Sequence, residues 1–304
     1  MRKFFEKILL WLRLLRLRQW TKNGVVFAAF FFALGDARQD VSWRLAAKAA
    51  AAALAFGLVS SAVYILNDWR DREVDALHPV KRLRPLASGA IRPVAALAVA
   101  GLLAVAGVAA GWRICPEPPF ALAWILGGYL AMQAIYTWEL KRVAVVDVMI
   151  IALGFVMRAL AGAVAVRVDI SPWLLLCAFW LSLFLALCKR RHEKSRLGPV
   201  ARASLANYDK KVLDLMVAIT AATVLGSYSI YTLWPDTVAK FGTPWLGATI
   251  PFVAYGLFRY LELAYRHERA ERPEEVLLTD IPLILDIVAF GIVALLVFHL
   301  RGAA

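Results

Sequence analysis

Long apolar runs separated by short polar segments make up most of the chain, and their length indicates how it folds. Nine of these runs approach the length at which a helix crosses a bilayer. They predict an all-α, polytopic membrane helix bundle with about nine transmembrane helices. The predicted spans cover residues 22–35, 45–66, 93–111, 120–138, 143–166, 172–188, 212–233, 244–261 and 281–300.

The first twenty residues have a different pattern. Apolar side chains recur on one helical face and basic side chains lie mostly off it, which is typical of a helix in the membrane interface. We therefore expect an N-terminal amphipathic interfacial helix over 1–20, followed by a single transmembrane domain over 21–304. An ordinary basic flank to the first span is the alternative. The apolar face consists of Phe4, Phe5, Ile8, Trp11, Leu12 and Leu15.

The distribution of charge predicts the orientation of the spans. The chain is 62% hydrophobic, yet it carries 35 Lys and Arg residues and a net charge of +13. Of these 35 residues, 27 fall in the N-terminal segment, the even-numbered loops and the span ends that adjoin them, and 6 fall on the opposite side. The positive-inside rule makes the N-terminus and the loops at 67–92, 139–142, 189–211 and 262–280 cytoplasmic. The charge is thus one basic face of a membrane protein, and we expect no nucleic-acid partner.

The charged stretch "NDWRDREVDALHPVKRLRP" at 67–85 begins where the second span ends. If the helix continues, Asp68, Asp71 and Asp75 fall within about 60° of arc, and Asn67 lies beside Asp71. Carboxylates so placed repel one another unless a cation neutralises them. Oxygen ligands at a water-filled mouth suit Mg²⁺, which commonly bridges protein carboxylates and substrate phosphates. The four residues are therefore candidate metal ligands, and the three aspartates are candidate catalytic residues.

A basic loop follows the aspartates. Lys81, Arg82 and Arg84 lie close together, and Pro85 stiffens the turn after Arg84. Such a turn can hold the phosphate oxygens that a metal leaves free, which predicts a phosphorylated substrate. The alternative for the whole segment is a solvated helix end with internal salt bridges.

Several stretches resemble a known family. "NDWRDREVD" at 67–75 matches the NDxxDxxxD motif of the UbiA-type intramembrane prenyltransferase superfamily. The resemblance covers about residue 15 to the end and implies a UbiA-like fold with a cytoplasmic, catalytic mouth. The stretches similar to its polyprenyl-phosphate phosphoribosyltransferase branch are "LRLRQWTKN" at 15–23, "DALHPVKRLRPLASG" at 75–89, "LKRVAVVDV" at 140–148 and "RPEEVLLTD" at 272–280.

The resemblance implies transfer of 5-phosphoribosyl from 5-phosphoribosyl 1-diphosphate to a polyprenyl phosphate, with Mg²⁺ as cofactor. In this hypothesis the lipid phosphate attacks C1 opposite the leaving diphosphate, so no protein nucleophile is needed. The enzyme would be an integral protein of a bacterial cytoplasmic membrane. Two alternatives stay open: transfer of an isoprenyl group from a prenyl diphosphate to an aromatic or other acceptor, and transport.

The sixth loop bears on the choice of reaction. Relatives that use prenyl diphosphates carry a second aspartate-rich motif there, whereas this chain has "KRRHEKSR" at 189–196. Lys189 and Arg190 are therefore candidates for binding an anionic lipid head group or the 5-phosphate of the donor. Positive-inside topology alone is the alternative for either residue.

Five further residues are weaker candidates for substrate binding. Tyr136, Lys141 and Arg142 lie at the cytoplasmic end of the fourth span and in its loop, where the resemblance places substrate contacts. Lys22 occupies the lysine position of the RQWxKN motif. Arg158 lies inside the fifth span, where an arginine lines a polar cavity or pairs with a carboxylate. Interfacial anchoring explains the other four nearly as well.

Overall fold

The computed structural model of the protein describes residues 2–36, 39, 42–117, 120–169, 171–197, 208–266, 276 and 279–300. All regular structure in these residues is helical, as the apolar pattern predicts. The α-helices are α1 Arg2–Leu15, α2 Ala28–Ala33, α3 Trp43–Ala76, α4 Pro93–Ile114, α5 Ala121–Trp138, α6 Val146–Val166, α7 Pro172–Leu197, α8 Lys210–Leu233, α9 Pro235–Phe241, α10 Ile250–Arg266 and α11 Ile281–Leu300. Short 3-10 helices cover Leu17–Phe27, Lys81–Leu83, Leu140–Arg142 and Trp245–Thr249.

Helix α3 carries the charged stretch. Residues 46–55 within it are mostly alanine, which has the highest helix propensity. The helix runs without interruption into the aspartate motif and ends at Ala76, shortly before Pro79. A proline disfavours helical geometry in the residue before it, so the chain turns at this point. The helix therefore continues through Asp75, past the end predicted for the second span, and this is the condition on which the common face of the aspartates depends.

Six of the described helices are long and apolar enough to cross a membrane, namely α3, α4, α6, α7, α8 and α11. They coincide with six of the nine predicted spans. The three other predicted spans correspond to shorter or less apolar helices. The span predicted at 22–35 is divided between a 3-10 helix and α2, the span at 120–138 is α5, and the span at 244–261 is divided between a 3-10 helix and α10.

Local sequence explains these differences. Asn23 and Gly24 have low helix propensity and lie where an apolar window predicts a continuous α-helix. Pro251 has no amide hydrogen and its ring would clash with the carbonyl group of Gly247, so α10 begins only at Ile250. Helix α5 is continuous but includes the polar side chain of Gln133.

The chain divides into two compact units. The first contains residues 1–28, 43–141 and 160–167, and so includes α1, α3, α4, α5 and the last turns of α6. One apolar cluster in this unit joins α1, α3, α4 and the loop after α3. It consists of Leu14, Ala62, Ile65, Leu86, Ile91, Ala96 and Ala100. Because Leu86 and Ile91 are buried in it, the loop 77–92 is fixed against the end of α3.

The second unit contains residues 29–42, 142–159 and 168–304. Helices α7 and α8 pack against each other in this unit. One of its apolar clusters includes Phe184 and Leu213, and another includes Phe241 and Leu246. Asp209 caps α8, because its carboxylate accepts hydrogen bonds from two backbone amides of the first turn.

Gly162 of α6 makes a close backbone approach in the first unit. A Cβ atom at this position would lie 1.9 Å from the carbonyl oxygen of Val26, which is backbone and cannot rotate away. Glycine thus allows the 3-10 helix Leu17–Phe27 to contact α6 directly.

We expect Gly162→Ala to destabilise the protein by about 1–3 kcal/mol, because the added methyl group overpacks this contact. Thermal unfolding in detergent measures the effect. Gly101→Ala in α4 is the matched control, since a Cβ atom there meets nothing within 4 Å. Equal unfolding temperatures for the two variants would contradict the close approach.

Candidate active site

The end of α3 presents the four predicted metal ligands in different environments. Asp68 and Asp75 are buried, with 3% and 4% of their surfaces exposed. Asn67 and Asp71 are half-buried. A buried carboxylate near a membrane is stable only beside a positive charge. The site is therefore defined as much by the cations that reach this helix end as by the aspartates.

Arg84 bridges the two buried aspartates. Its Nη1 atom lies 3.1 Å from Oδ1 of Asp68 and 2.6 Å from Oδ2 of Asp75. The backbone of Arg84 is extended, as the following Pro85 requires, and this directs the side chain back from the loop. The predicted basic turn thus exists, and two carboxylates converge on one cation.

Arg16 is a second cation on Asp68, and sequence reasoning did not select it. Its Nη2 atom lies 2.5 Å from Oδ1 of Asp68, the same oxygen that Arg84 contacts. The Arg16 guanidinium also lies over the ring of Tyr64, 5.3 Å from the centroid. One feature of the sequence pointed to Arg16, because this residue lies within "LRLRQWTKN". The helical pattern of the first twenty residues, however, placed Arg16 only among the basic side chains off the apolar face.

The backbone holds Arg16 in an unusual conformation. Its φ and ψ angles of 53° and 46° are left-handed, which costs a non-glycine residue roughly 1 kcal/mol. The residues on either side are fixed to α3: Ser61 donates to the carbonyl oxygen of Leu15, at 2.8 Å, and accepts from the indole of Trp20, at 3.0 Å. Packing around the turn therefore stabilises the conformation that aims Arg16 at Asp68.

The end of α5 contacts the other half of the motif. Nζ of Lys141 lies 2.5 Å from Oδ1 of Asp71. The hydroxyl group of Thr137, which sequence reasoning also missed, lies 2.6 Å from Oδ1 of Asn67 and 2.8 Å from the carbonyl oxygen of Gln133. Tyr136 is buried in the same turn. Of the residues predicted near the end of α5, the structure thus brings Lys141 to the end of α3 at 67–76, here called the aspartate helix.

The structure also gives the positions of three more predicted residues. Lys22 is half-buried in the 3-10 helix Leu17–Phe27, and Lys81 is half-buried at the start of the 3-10 helix in loop 77–92. The Lys81 amide donates to Nδ1 of His78 at 3.3 Å, which closes that turn. Arg142 is exposed and belongs to the second unit.

In the second unit, Arg190 takes part in a buried polar network. Its Nε atom donates to Asp147 at 2.9 Å and its Nη1 atom to Glu193 at 2.6 Å. The other oxygen of Asp147 accepts from the hydroxyl group of Tyr208 at 2.8 Å, and that hydroxyl accepts from the Val145 amide at 2.6 Å. Burial raises the pKa of the Tyr208 phenol, so it stays protonated as a donor.

The remaining two predicted residues lie on helices of the second unit. Lys189 is half-buried near the end of α7. Arg158 is buried in α6, where its Nη1 atom donates to the carbonyl oxygen of Gly154 at 2.8 Å. Its guanidinium also lies 5.3 Å from the ring centroid of Phe155.

The acids near the sixth loop are committed to other contacts. Glu193 pairs with Arg190, and Asp214 pairs with Arg191 and accepts from the hydroxyl group of Tyr265. Asp209 caps α8. These three acids therefore do not form a second carboxylate cluster.

The donor set of the motif is suited to Mg²⁺ by its chemistry. Three carboxylates and one amide oxygen are hard ligands, and Asp68 and Asp75 already converge on one positive group. In the described ranges of the chain, however, no three or more acidic, histidine or cysteine side chains are arranged to enclose a metal ion. Arg84 and Lys141 hold the aspartates instead, so a metal would have to displace them.

Comparison with known proteins relates this geometry to a family. Residues 25–278 match the sequence profile of the UbiA prenyltransferase family. The decaprenyl-phosphate phosphoribosyltransferase of Mycolicibacterium smegmatis is 35% identical over 279 residues, which cover 88% of this chain and 86% of that protein. The protein of the same name from Corynebacterium glutamicum is 34% identical over 275 residues, covering 88% and 80%.

Solved structures share the fold. A UbiA homolog from Archaeoglobus fulgidus, solved with DMAPP and Mg²⁺, superposes with a TM-score of 0.72 at 17% identity. The superposition covers 95% of this chain and 98% of that one. The predicted UbiA-like, all-α fold is therefore confirmed.

We expect Tyr208→Phe to destabilise the protein by about 1–3 kcal/mol, because it removes a donor from buried Asp147 and the acceptor of the Val145 amide. Thermal unfolding in detergent measures the loss. Tyr255→Phe removes the same hydroxyl group from an exposed position and should change stability by less than about 0.5 kcal/mol. Similar effects of both substitutions would argue against the network.

Proposed function

The chain belongs to the UbiA prenyltransferase family, and we propose that it transfers 5-phosphoribosyl from 5-phosphoribosyl 1-diphosphate to a polyprenyl phosphate. The observation that carries this proposal is the similarity to the two phosphoribosyltransferases, which extends over most of their length. The aspartate helix and the basic loop beside it supply the chemistry that a diphosphate-bearing donor needs.

The aspartate helix is proposed to bind the donor's diphosphate through Mg²⁺. Asn67, Asp68, Asp71 and Asp75 would hold the ion, which when bound neutralises charge on the leaving diphosphate. Hard oxygen ligands and their convergence on one cation support this assignment.

Cationic side chains of the same unit are proposed to bind the phosphates of the donor. Arg84 and Lys141 touch the aspartates now, and both are partly exposed, so their charged groups can turn to phosphate oxygens. Lys22, Lys81 and Tyr136 are proposed to complete this surface.

Four further residues are proposed to bind phosphate groups of the substrates: Arg142, Arg158, Lys189 and Arg190. The ion pair of Arg190 with Asp147 gives that residue a structural role as well.

The reaction needs little more than positioning. An oxygen of the lipid phosphate forms a bond to C1 of the ribosyl ring while the bond from C1 to the diphosphate oxygen breaks. The electron pair leaves with diphosphate, and the anionic monoester has no proton to lose, so a general base is not required. In-line attack inverts the configuration at C1.

The proposal includes a membrane arrangement. The protein would be integral to a bacterial cytoplasmic membrane with nine spans and the aspartate helix at the cytoplasmic face. The excess of Lys and Arg in the N-terminal segment and the even-numbered loops supports this orientation. Helix α1 would lie in the interface, since Phe5, Ile8, Leu9 and Leu12 are exposed apolar side chains.

Prenyl transfer is the nearest competing function, because the family includes it. The other contacts of Glu193, Asp209 and Asp214 argue against it, since these three acids are not arranged as a second metal-binding motif.

The donor assay tests the proposal directly. Purified protein with Mg²⁺, a polyprenyl phosphate and radiolabelled 5-phosphoribosyl 1-diphosphate should yield lipid-soluble label. Chelation by EDTA should abolish the product, and added Mg²⁺ should restore it, because the aspartates bind diphosphate only through a divalent ion. Activity with a prenyl diphosphate but not with this donor would establish the prenyltransferase instead, and inactivity with both would favour transport.

Asp71→Asn should lower turnover at least about a hundredfold, since it removes a charged ligand from the diphosphate site. Asp71 is half-buried, so the protein should still fold and insert. Glu73→Gln is the matched control, because Glu73 lies on the same helix end with 82% of its side chain exposed. Turnover retained by Asp71→Asn would remove this residue from the catalytic role.

A further inference from the structure

The contacts of Arg16 extend the proposed function to a residue outside the recognised aspartate motif and basic loop. Arg16 follows α1 directly, and its left-handed backbone turns the chain into the next 3-10 helix. Buried Leu14 and the hydrogen bond from Ser61 to Leu15 anchor this turn on α3. The turn that follows α1 therefore holds the guanidinium group at the aspartate helix.

Two guanidinium groups meet at one oxygen of Asp68. Oδ1 of this aspartate contacts both Arg16, at 2.5 Å, and Arg84, at 3.1 Å. Arg84 also pairs with Asp75, so the two guanidinium groups balance the charges of the two buried carboxylates. A divalent cation that takes these carboxylates leaves the guanidinium groups without their partners, and they then attract a further anion.

Arg16 is also placed to move. Its side chain remains 28% exposed, whereas that of Asp68 is 4% exposed. The Tyr64 ring beneath the guanidinium provides a surface on which a cation stays near the site after it loses its carboxylate partner. An arginine of this kind can exchange a carboxylate for a phosphate with little change of position, since its planar group binds both in the same geometry.

We propose that Arg16 is a diphosphate-binding residue that pairs with Asp68 while the metal is absent and transfers to a phosphate oxygen when a divalent cation takes that carboxylate. The inference rests on the proposed function for the identity of the donor. In this proposal Arg16 competes with the metal for the Asp68 carboxylate and binds the diphosphate once the metal is in place. Its removal therefore has opposite effects on the two ligands.

The test measures binding by the full-length protein in detergent, with Mn²⁺ as a paramagnetic probe and inorganic diphosphate as the anion. Arg16→Gln should bind Mn²⁺ alone on the order of tenfold more tightly, because a competing positive charge is gone. The same variant should bind diphosphate, at saturating Mn²⁺, on the order of tenfold more weakly. Glutamine keeps a polar, unbranched side chain and removes the charge.

Two further variants separate this role from a structural one. Arg13→Gln removes the same charge one turn earlier, from an exposed position on α1, and should change neither affinity. Arg16→Lys keeps the charge without the planar fork, so its Mn²⁺ affinity should stay near the original while diphosphate binding falls.

Several outcomes would overturn the proposal. If Arg16→Gln weakens both ligands, or changes neither, Arg16 is a structural ion-pair partner. If Mn²⁺ binding tightens while diphosphate binding is unchanged, Arg16 is a counter-ion and nothing more. Neither probe is the sugar donor, so the two tests can fail separately. If the donor assay fails while the binding results are as expected, the proposed reaction is refuted and the inference about Arg16 stands.

Discussion

A carboxylate withdrawn from water must have a positive charge beside it, and this requirement organises the first unit. Asp68 and Asp75 are almost fully buried at the end of α3. Three separate segments each bring one cation to this helix end: the turn after α1 brings Arg16, the loop 77–92 brings Arg84, and the end of α5 brings Lys141. Each cation compensates carboxylate charge that is shielded from water, so the chain segments and the charges stabilise one another.

Features that depend on local sequence could be predicted. The apolar runs predict the helix that leads to the motif, and the spacing of the aspartates places them on one side of it once the helix continues, as α3 does. Arg84 could also be selected, because Pro85 fixes the backbone before it and the loop is short. These inferences succeed because each involves residues that are close in sequence, where helix geometry and proline stereochemistry determine the outcome.

Features that depend on packing between distant segments could not be predicted. Asp68 and Arg16 are 52 residues apart, and no periodicity connects them. The contact of Thr137 with Asn67 and the pairing of Arg190 with Asp147 have the same origin. Six described helices meet the length and apolarity needed to cross a membrane. Two of the other predicted spans are divided near Asn23 and Gly24 and near Pro251, and an average over an apolar window does not register such breaks.

The length of α3 bears on how a water-soluble substrate and a membrane-anchored substrate can meet. Its 34 residues extend for roughly 50 Å, whereas the hydrocarbon layer of a bilayer is about 30 Å thick. The apolar part of the helix ends before Asn67, so the surplus length lies at the aspartate end. In the proposed arrangement this end would lie at the depth of the lipid head groups. A water-soluble sugar diphosphate and a phosphate anchored by a polyprenyl tail would meet there, each remaining in the phase where it dissolves.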